Sequence, residues 1–163
     1  MLIVNQGNTA MSRLITAVSL AACTLPALAT EGVAMDSMVT VPSAHTARAS
    51  IDRLETLAKA RGLNIFARID HAAGARSVGE TLRPTELLIL GHPKGGTPLM
   101  QCAQVYAIDL PMRVLAWEDE TGQHWMGYKR PALSGKTQSV PACAEPLKKL
   151  TRAIDTLVQE AAR

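Results

Sequence analysis

The chain has 163 residues, a formal net charge of +3, 47% hydrophobic residues and 19% charged ones. Its basic residues are dispersed and nearly balanced by acids, which argues against a nucleic-acid surface built on charge. The length suits one domain with a real core, and three cysteines are too few for a disulfide framework.

The N-terminus reads as an export signal. Arg13 is the single charge before Glu31, and Leu14 to Leu28 is almost wholly apolar or small. That run is short for a bilayer span of about 20 residues. It ends in Ala27-Leu28-Ala29, so residues 1–29 are expected to be a signal peptide cleaved between Ala29 and Thr30. Met11 is an alternative start. Leu20-Ala21-Ala22-Cys23 also resembles a bacterial lipobox, in which Cys23 would carry lipid and tether the domain. An uncleaved anchor is the third reading, and all three send the folded part out of the cytoplasm, to the periplasm or beyond as a secreted protein. No second membrane segment follows, so without that anchor membrane association would require lipid at Cys23.

Residues 30–37 read as a flexible mature N-terminus, and a single domain is expected over 38–163. Met38 to Val41 predicts a short strand. A helix capped near Thr46 follows, with Ile51, Leu54, Leu57 and Ala58 on one face and Arg48–Asp52 and Glu55–Lys59 paired on the other. Gly62 ends it. Leu63 to Ile69 alternates, with Leu63, Ile65, Ala67 and Ile69 on one side. Asp70 can cap a helical turn at His71-Ala72-Ala73. Thr85 to Leu90 predicts the central strand.

The segment Gly91 to Met100 then predicts a glycine loop and a helix capped by Thr97, with Pro98 at its first position. Met112 to Trp117 and Gln123 to Tyr128 predict a hairpin, read as an edge pair whose aromatics Trp117, Trp125 and Tyr128 pack or dimerise. Residues 129–142 predict a polar loop. The last helix, Ala144 to Ala162, places Leu147, Leu150, Ile154, Leu157 and Val158 on one stripe and Lys148, Lys149, Arg152 and Asp155 outside. This order predicts an α+β fold: a small, mainly antiparallel sheet with helices packed on one face, a two-layer sandwich.

Ala67-Arg68-Ile69-Asp70-His71-Ala72-Ala73-Gly74-Ala75, then Leu82-Arg83-Pro84-Thr85-Glu86-Leu87-Leu88, then Gly91-x-Pro93-Lys94-Gly95-Gly96-Thr97-Pro98-Leu99-Met100 form an ordered series. Together with Asp109-Leu110-Pro111 and Trp117-Glu118-Asp119, that series resembles the family called domain of unknown function 302, over roughly residues 38–162. The resemblance implies a compact α+β domain and a homodimer, and supplies no mechanism. His92 departs from the Asn expected there.

Chemistry concentrates at two places. The glycine loop can cradle an anion with free N–H groups, with Lys94, Gly95, Gly96 and Thr97 as candidate ligand-binding residues. It lacks the spacing of a nucleotide P-loop, because Lys94 precedes the glycines. His71 follows a strand end and would join the same site if the fold turns it toward Lys94. No metal is expected, since His45, His71, His92 and His124 lack helical ligand spacing and no C-x-x-C occurs; no cofactor motif is present either. Met100, Met112 and Met126 read as core filler. Cys102 and Cys143 are an even pair that can form a disulfide in an oxidising compartment, or remain two unrelated thiols.

The leading expectation is therefore a dimeric small-ligand or anion binding or sensing module. One alternative is an enzyme with His71 as acid/base and Lys94 as electrostatic stabiliser. The other is a purely structural dimer.

Overall fold

The computed structural model describes residues 38–131 and 141–163, all within one unit spanning Met35–Arg163. The signal peptide, the Ala29–Thr30 cleavage point, Cys23 and the N-terminal stretch 30–37 lie outside the described residues. So does most of the expected polar loop.

Five strands make one sheet: β1 (Met38–Pro42), β2 (Asn64–Asp70), β3 (Thr85–Gly91), β4 (Met112–Glu118) and β5 (His124–Lys129), in the order β1-β5-β4-β3-β2. Every ladder is antiparallel. Helix α1 (Ala47–Ala60) carries the chain from one edge strand to the other, and β2 to β5 then return as a meander. The fold is α+β, as the element order predicts. Two expectations change. The middle strand is β4 rather than β3, and the β4–β5 hairpin is internal, because β1 pairs with β5 and takes the edge.

Helices α1 and α4 (Ala144–Ala162) cover one face of the sheet. Ile51, Leu54 and Ala58 of α1 meet Leu88, Leu90, Val114 and Met126 of the strands, and Ile154, Leu157 and Val158 of α4 close the core. Fully burying such a side chain contributes about 1.5–3 kcal/mol, so this layer dominates stability. Met112 and Met126 are core residues, as their composition suggested, whereas Met100 is only half-buried. Thr46 caps α1 by accepting from the Ala49 N–H at 3.3 Å, and Gly62 ends it at a positive φ of 72° that other residues rarely adopt.

The alternation predicted for β2 fails at one residue. The register shifts between Ile65 and Ala67, so Phe66 is an extra residue, a β-bulge. Side-chain direction has period two, so the bulge turns everything beyond it over. Ile65 pairs with Leu90 on the helix-covered face, but Ala67 and Ile69 pair with Ile89 and Leu87 on the other. Arg68 takes the covered face opposite Leu88 and donates to the Glu86 carboxylate at 2.6 and 2.8 Å. It also reaches Asp52 at 2.5 Å, so Asp52 serves the sheet rather than the expected Arg48. The expected Glu55–Lys59 pair forms at 2.6 Å.

Tyr128 stands on the covered face of β5 rather than with the tryptophans. Its hydroxyl donates to Asp155 at 2.6 Å, and Arg130 holds the same carboxylate at 2.9 and 3.1 Å. Burial pulls the Asp155 pKa up, but the bonds from Arg130 and Tyr128 outweigh it and hold the group below its ordinary 3.8. Burial, and then the neighbouring Asp155 charge, push the Tyr128 hydroxyl upward.

Two stability outcomes follow from these pairs. Arg68→Met strips the buried Glu86 carboxylate of its cation and should cost about 3 kcal/mol in denaturant unfolding. Arg68→Met with Glu86→Leu should recover most of that loss; no recovery would mean that the pairing is not the cause. Asp155 has a depressed folded pKa, so its contribution is present above the unfolded value near 3.8 and is lost as pH falls through the folded one. Melting temperatures of wild type and Asp155→Asn should therefore differ at pH 7 and converge as the pH drops below 4.

Candidate functional site

The expected meeting of His71 with Lys94 does not occur. Antiparallel pairing sets Asp70 beside Glu86 at the start of β3 and Asn64 beside Gly91 at its end. His71 opens α2 (His71–Ser77) at the first end, while Lys94 follows the second. The seven residues of β3 separate them by roughly 20 Å. Asp70 caps α2, as expected, by accepting from the Ala73 N–H at 2.8 Å, and His71 is exposed.

The glycine loop is also not a loop. Helix α3 runs from Pro93 to Cys102, with His92 as its N-cap and Pro93 at its first turn. Thr97 lies inside the helix and Pro98 interrupts its ladder. The backbone donors that were to cradle an anion are occupied. The Lys94 N–H donates to His92 Nδ1 at 3.0 Å, and those of Gly95 and Gly96 donate to the His92 carbonyl at 2.9 and 3.2 Å. Gly96 serves close packing instead, since a Cβ there would stand 3.2 Å from Leu110, whereas one at Gly95 would make ordinary contact with Leu150 at 3.9 Å.

Lys94 keeps its candidacy for a different reason. It lines a groove of about 1130 Å³ bounded by the end of β3, α3 and α4. The floor is core: Leu90, Met112, Ile154 and Leu157 are almost completely buried. Half-buried Met100, Leu110 and Leu150 form the walls. Gly95, Gly96 and Thr97 also line it, through their helix rather than through a loop. The bulged Phe66, 56% exposed, stands in the same lining, and a Cβ on Gly91 would lie 3.8 Å from its ring. Lys94 and Lys149 are exposed lining residues, and among the described residues neither has a carboxylate within ion-pair distance. Arg61 is there too, paired with Glu160 at 2.5 Å. Glu145 is the one acid in the lining.

Sequence reading missed Phe66, Arg61 and Lys149. The only signal for Phe66 was an aromatic on the polar side of an alternating strand. Lys149 was assigned to the wet face of its helix, which is correct, but nothing local showed that a groove lies beside it.

Cys102 and Cys143 are joined as a disulfide, with 5.4 Å between their Cα atoms, which excludes the reading of two unrelated thiols. The bond links the last turn of α3 to the turn that opens α4, so it ties the two helical walls together. Leu99, Tyr106 and Cys143 form a small cluster around it, apart from the main core. Among the described residues no group of His, Cys, Asp or Glu is arranged to hold a metal.

On the open sheet face, Trp117 and Trp125 stack with ring centroids 6.4 Å apart, away from the groove. Gly127 makes room beneath, since a Cβ there would fall 2.9 Å from the Trp117 ring. Asp119 accepts from the Thr121 hydroxyl and from the Trp125 indole at 2.7 Å each, and these bonds with backbone N–H groups hold its pKa down to about 2.

A family model described as "Domain of unknown function DUF302" matches residues 39–157. The chain belongs to the DUF302 family. A solved DUF302 structure, the uncharacterized conserved protein from Bacillus stearothermophilus, superposes with a TM-score of 0.67 at 16% identity, over 77% of this chain and 98% of that one. It shares the fold. Proteins named "Fluoride-specific ion channel FluC 1" from Brucella suis and Brucella abortus are each 45% identical over 103 residues, 63% of this chain. The chain spans only 41% and 38% of their respective lengths.

The composition of α3 makes its tether measurable. Two glycines and an internal proline make it a poor helix by itself, each glycine costing about 1 kcal/mol relative to alanine. Reducing the disulfide, or Cys102→Ser with Cys143→Ser, should lower stability by about 2–4 kcal/mol. Hydrogen exchange should then show α3 amides losing protection before those of β3 and β4; simultaneous loss would show that α3 is held by other means.

Proposed function

We propose that this DUF302 domain is an exported, dimeric binding module that holds a small anionic ligand at the rim of the groove between α3 and α4. One observation carries the reading: Lys94 and Lys149, both exposed and without carboxylate partners among the described residues, border the same large concavity. Pockets with an apolar lining and a few convergent polar groups are the usual form of a small-molecule site. The expected ligand residues Lys94, Gly95, Gly96 and Thr97 stay with this site, and His71 leaves it. An acid/base reaction shared by His71 and Lys94 is not kept, since the length of β3 divides them.

Export accords with the Cys102–Cys143 bond, because disulfides persist in oxidising compartments. Dimerisation accords with the open sheet face, where Leu87, Ile89, Leu115, Trp117 and Trp125 are only half-buried. The relatives named as fluoride-specific ion channels hold a stretch like this one within a longer chain. Among the described residues no helix is long and apolar enough to cross a membrane.

Native mass spectrometry of protein purified from its own cell envelope tests the reading. The expected species is a dimer beginning at Thr30, or at lipidated Cys23, that carries a small anion lost in Lys94→Gln/Lys149→Gln. Leu115→Arg should give monomers that retain the anion. A wild-type chain with no bound anion, or one whose anion survives the double substitution, would remove this site from consideration.

A further inference from the structure

The groove is too large and too apolar for an inorganic anion to fill. Its volume of about 1130 Å³ lies just above the range of about 300–1,000 Å³ in which organic ligands bind. Its two chemistries are also separated in space. Leu90, Met112 and Leu157, all at most 5% exposed, form the floor, and the unpaired cations Lys94 and Lys149 are at the solvent-exposed rim. A ligand complementary to both has an apolar body that reaches the floor and a compact negative head that stays at the mouth.

We propose that the ligand is a single-chain anionic amphiphile of the long-chain carboxylate class, its tail between α3 and α4 and its head between Lys94 and Lys149. This rests on the anion reading above and adds the tail to it. Charge complementarity selects the head: two free lysines face one exposed acid, Glu145, whose nearest cation is Lys148 at 3.9 Å. Shape selects the tail. The β-bulge takes Phe66 out of the strand pattern and leaves it 56% exposed in the groove lining, its ring beside Gly91. Bulges commonly re-aim a side chain beside a site in this way. Gly96 lets α3 come close to Leu110, and the lining runs along α3 on one side and α4 on the other, which suits a single chain.

Isothermal titration of the oxidised full-length protein with saturated carboxylates from acetate to laurate, each below its micelle concentration, tests the proposal. Affinity should tighten about three- to fourfold for each added methylene. Dodecanol should bind far more weakly than laurate, and Lys94→Gln/Lys149→Gln should weaken laurate roughly tenfold. Ala153 is an exposed residue of the lining, so Ala153→Trp should fill the slot and abolish laurate binding while leaving the melting temperature unchanged. Affinity independent of chain length would overturn the tail and leave the small-anion reading standing. Dodecanol binding as tightly as laurate would overturn the anionic head, and the small-anion reading with it. Laurate binding untouched by Ala153→Trp would place the chain elsewhere and sink the proposal, as would laurate taken up only from mixed phospholipid vesicles.

Discussion

One extra residue in the edge strand decides where charge and aromatic surface go in this fold. If β2 kept strict alternation, Arg68 would fall on the open face with Ile89 and Leu87, leaving the Glu86 carboxylate buried among core side chains without a cation. A buried carboxylate in that position would be strongly destabilising. The bulge at Phe66 rotates the strand so that Arg68 lies over Glu86 and bridges to Asp52 on α1, which locks the far edge of the sheet to its helix. The same residue turns Phe66 outward beside Gly91. The edge strand is thereby also kinked, which discourages edge-to-edge association. A single backbone irregularity thus satisfies a core charge and furnishes one side of the groove.

Helix α3 depends on a different kind of support. Its sequence opposes helicity at three of ten positions, and it packs mainly on α4 and the turn that follows it, away from the sheet. What holds it is a small apolar cluster, a histidine cap and a covalent bond. Gly96, one of the residues that weaken it, also allows its close approach to Leu110. Local propensity has been given up for a tight wall, and the disulfide restores what was lost. Such conflicts between local preference and global fold tend to cluster at functional places.

The legible parts of the sequence were those governed by periodicity. The stripe of α4, the α1 face and its Thr46 cap, the hairpin and the α+β class all follow from patterns that one element carries within itself. Errors arose where a neighbour in space overrode the pattern. Gly95 and Gly96 read as loop residues because propensity sees their entropy cost and cannot see Leu110 filling the space beside Gly96. His92 was passed over as a cap because its imidazole nitrogen does the work usually assigned to Ser, Thr, Asp or Asn. Placing His71 beside Lys94 required knowing which end of β3 each flanks, and that is decided by antiparallel pairing, a non-local property. The disulfide was open for the same reason, since 41 residues separate its partners in sequence.

The groove has a cost that bears on its meaning. Met100, Leu110 and Leu150 remain half-exposed in the groove, above the core residues Leu90, Met112 and Leu157, which are at most 5% exposed. A larger residue at Ala153, or alanine in place of Gly96, would be simple ways to alter that space. Exposed concave apolar surface rimmed by charge is what binding sites retain and what purely structural interfaces bury. The cations point the same way. Lys94 and Lys149 have no carboxylate partner among the described residues, a state they share with Arg48, Arg113, Lys129 and Arg152 elsewhere on the surface, and what sets the two apart is their place beside an apolar groove.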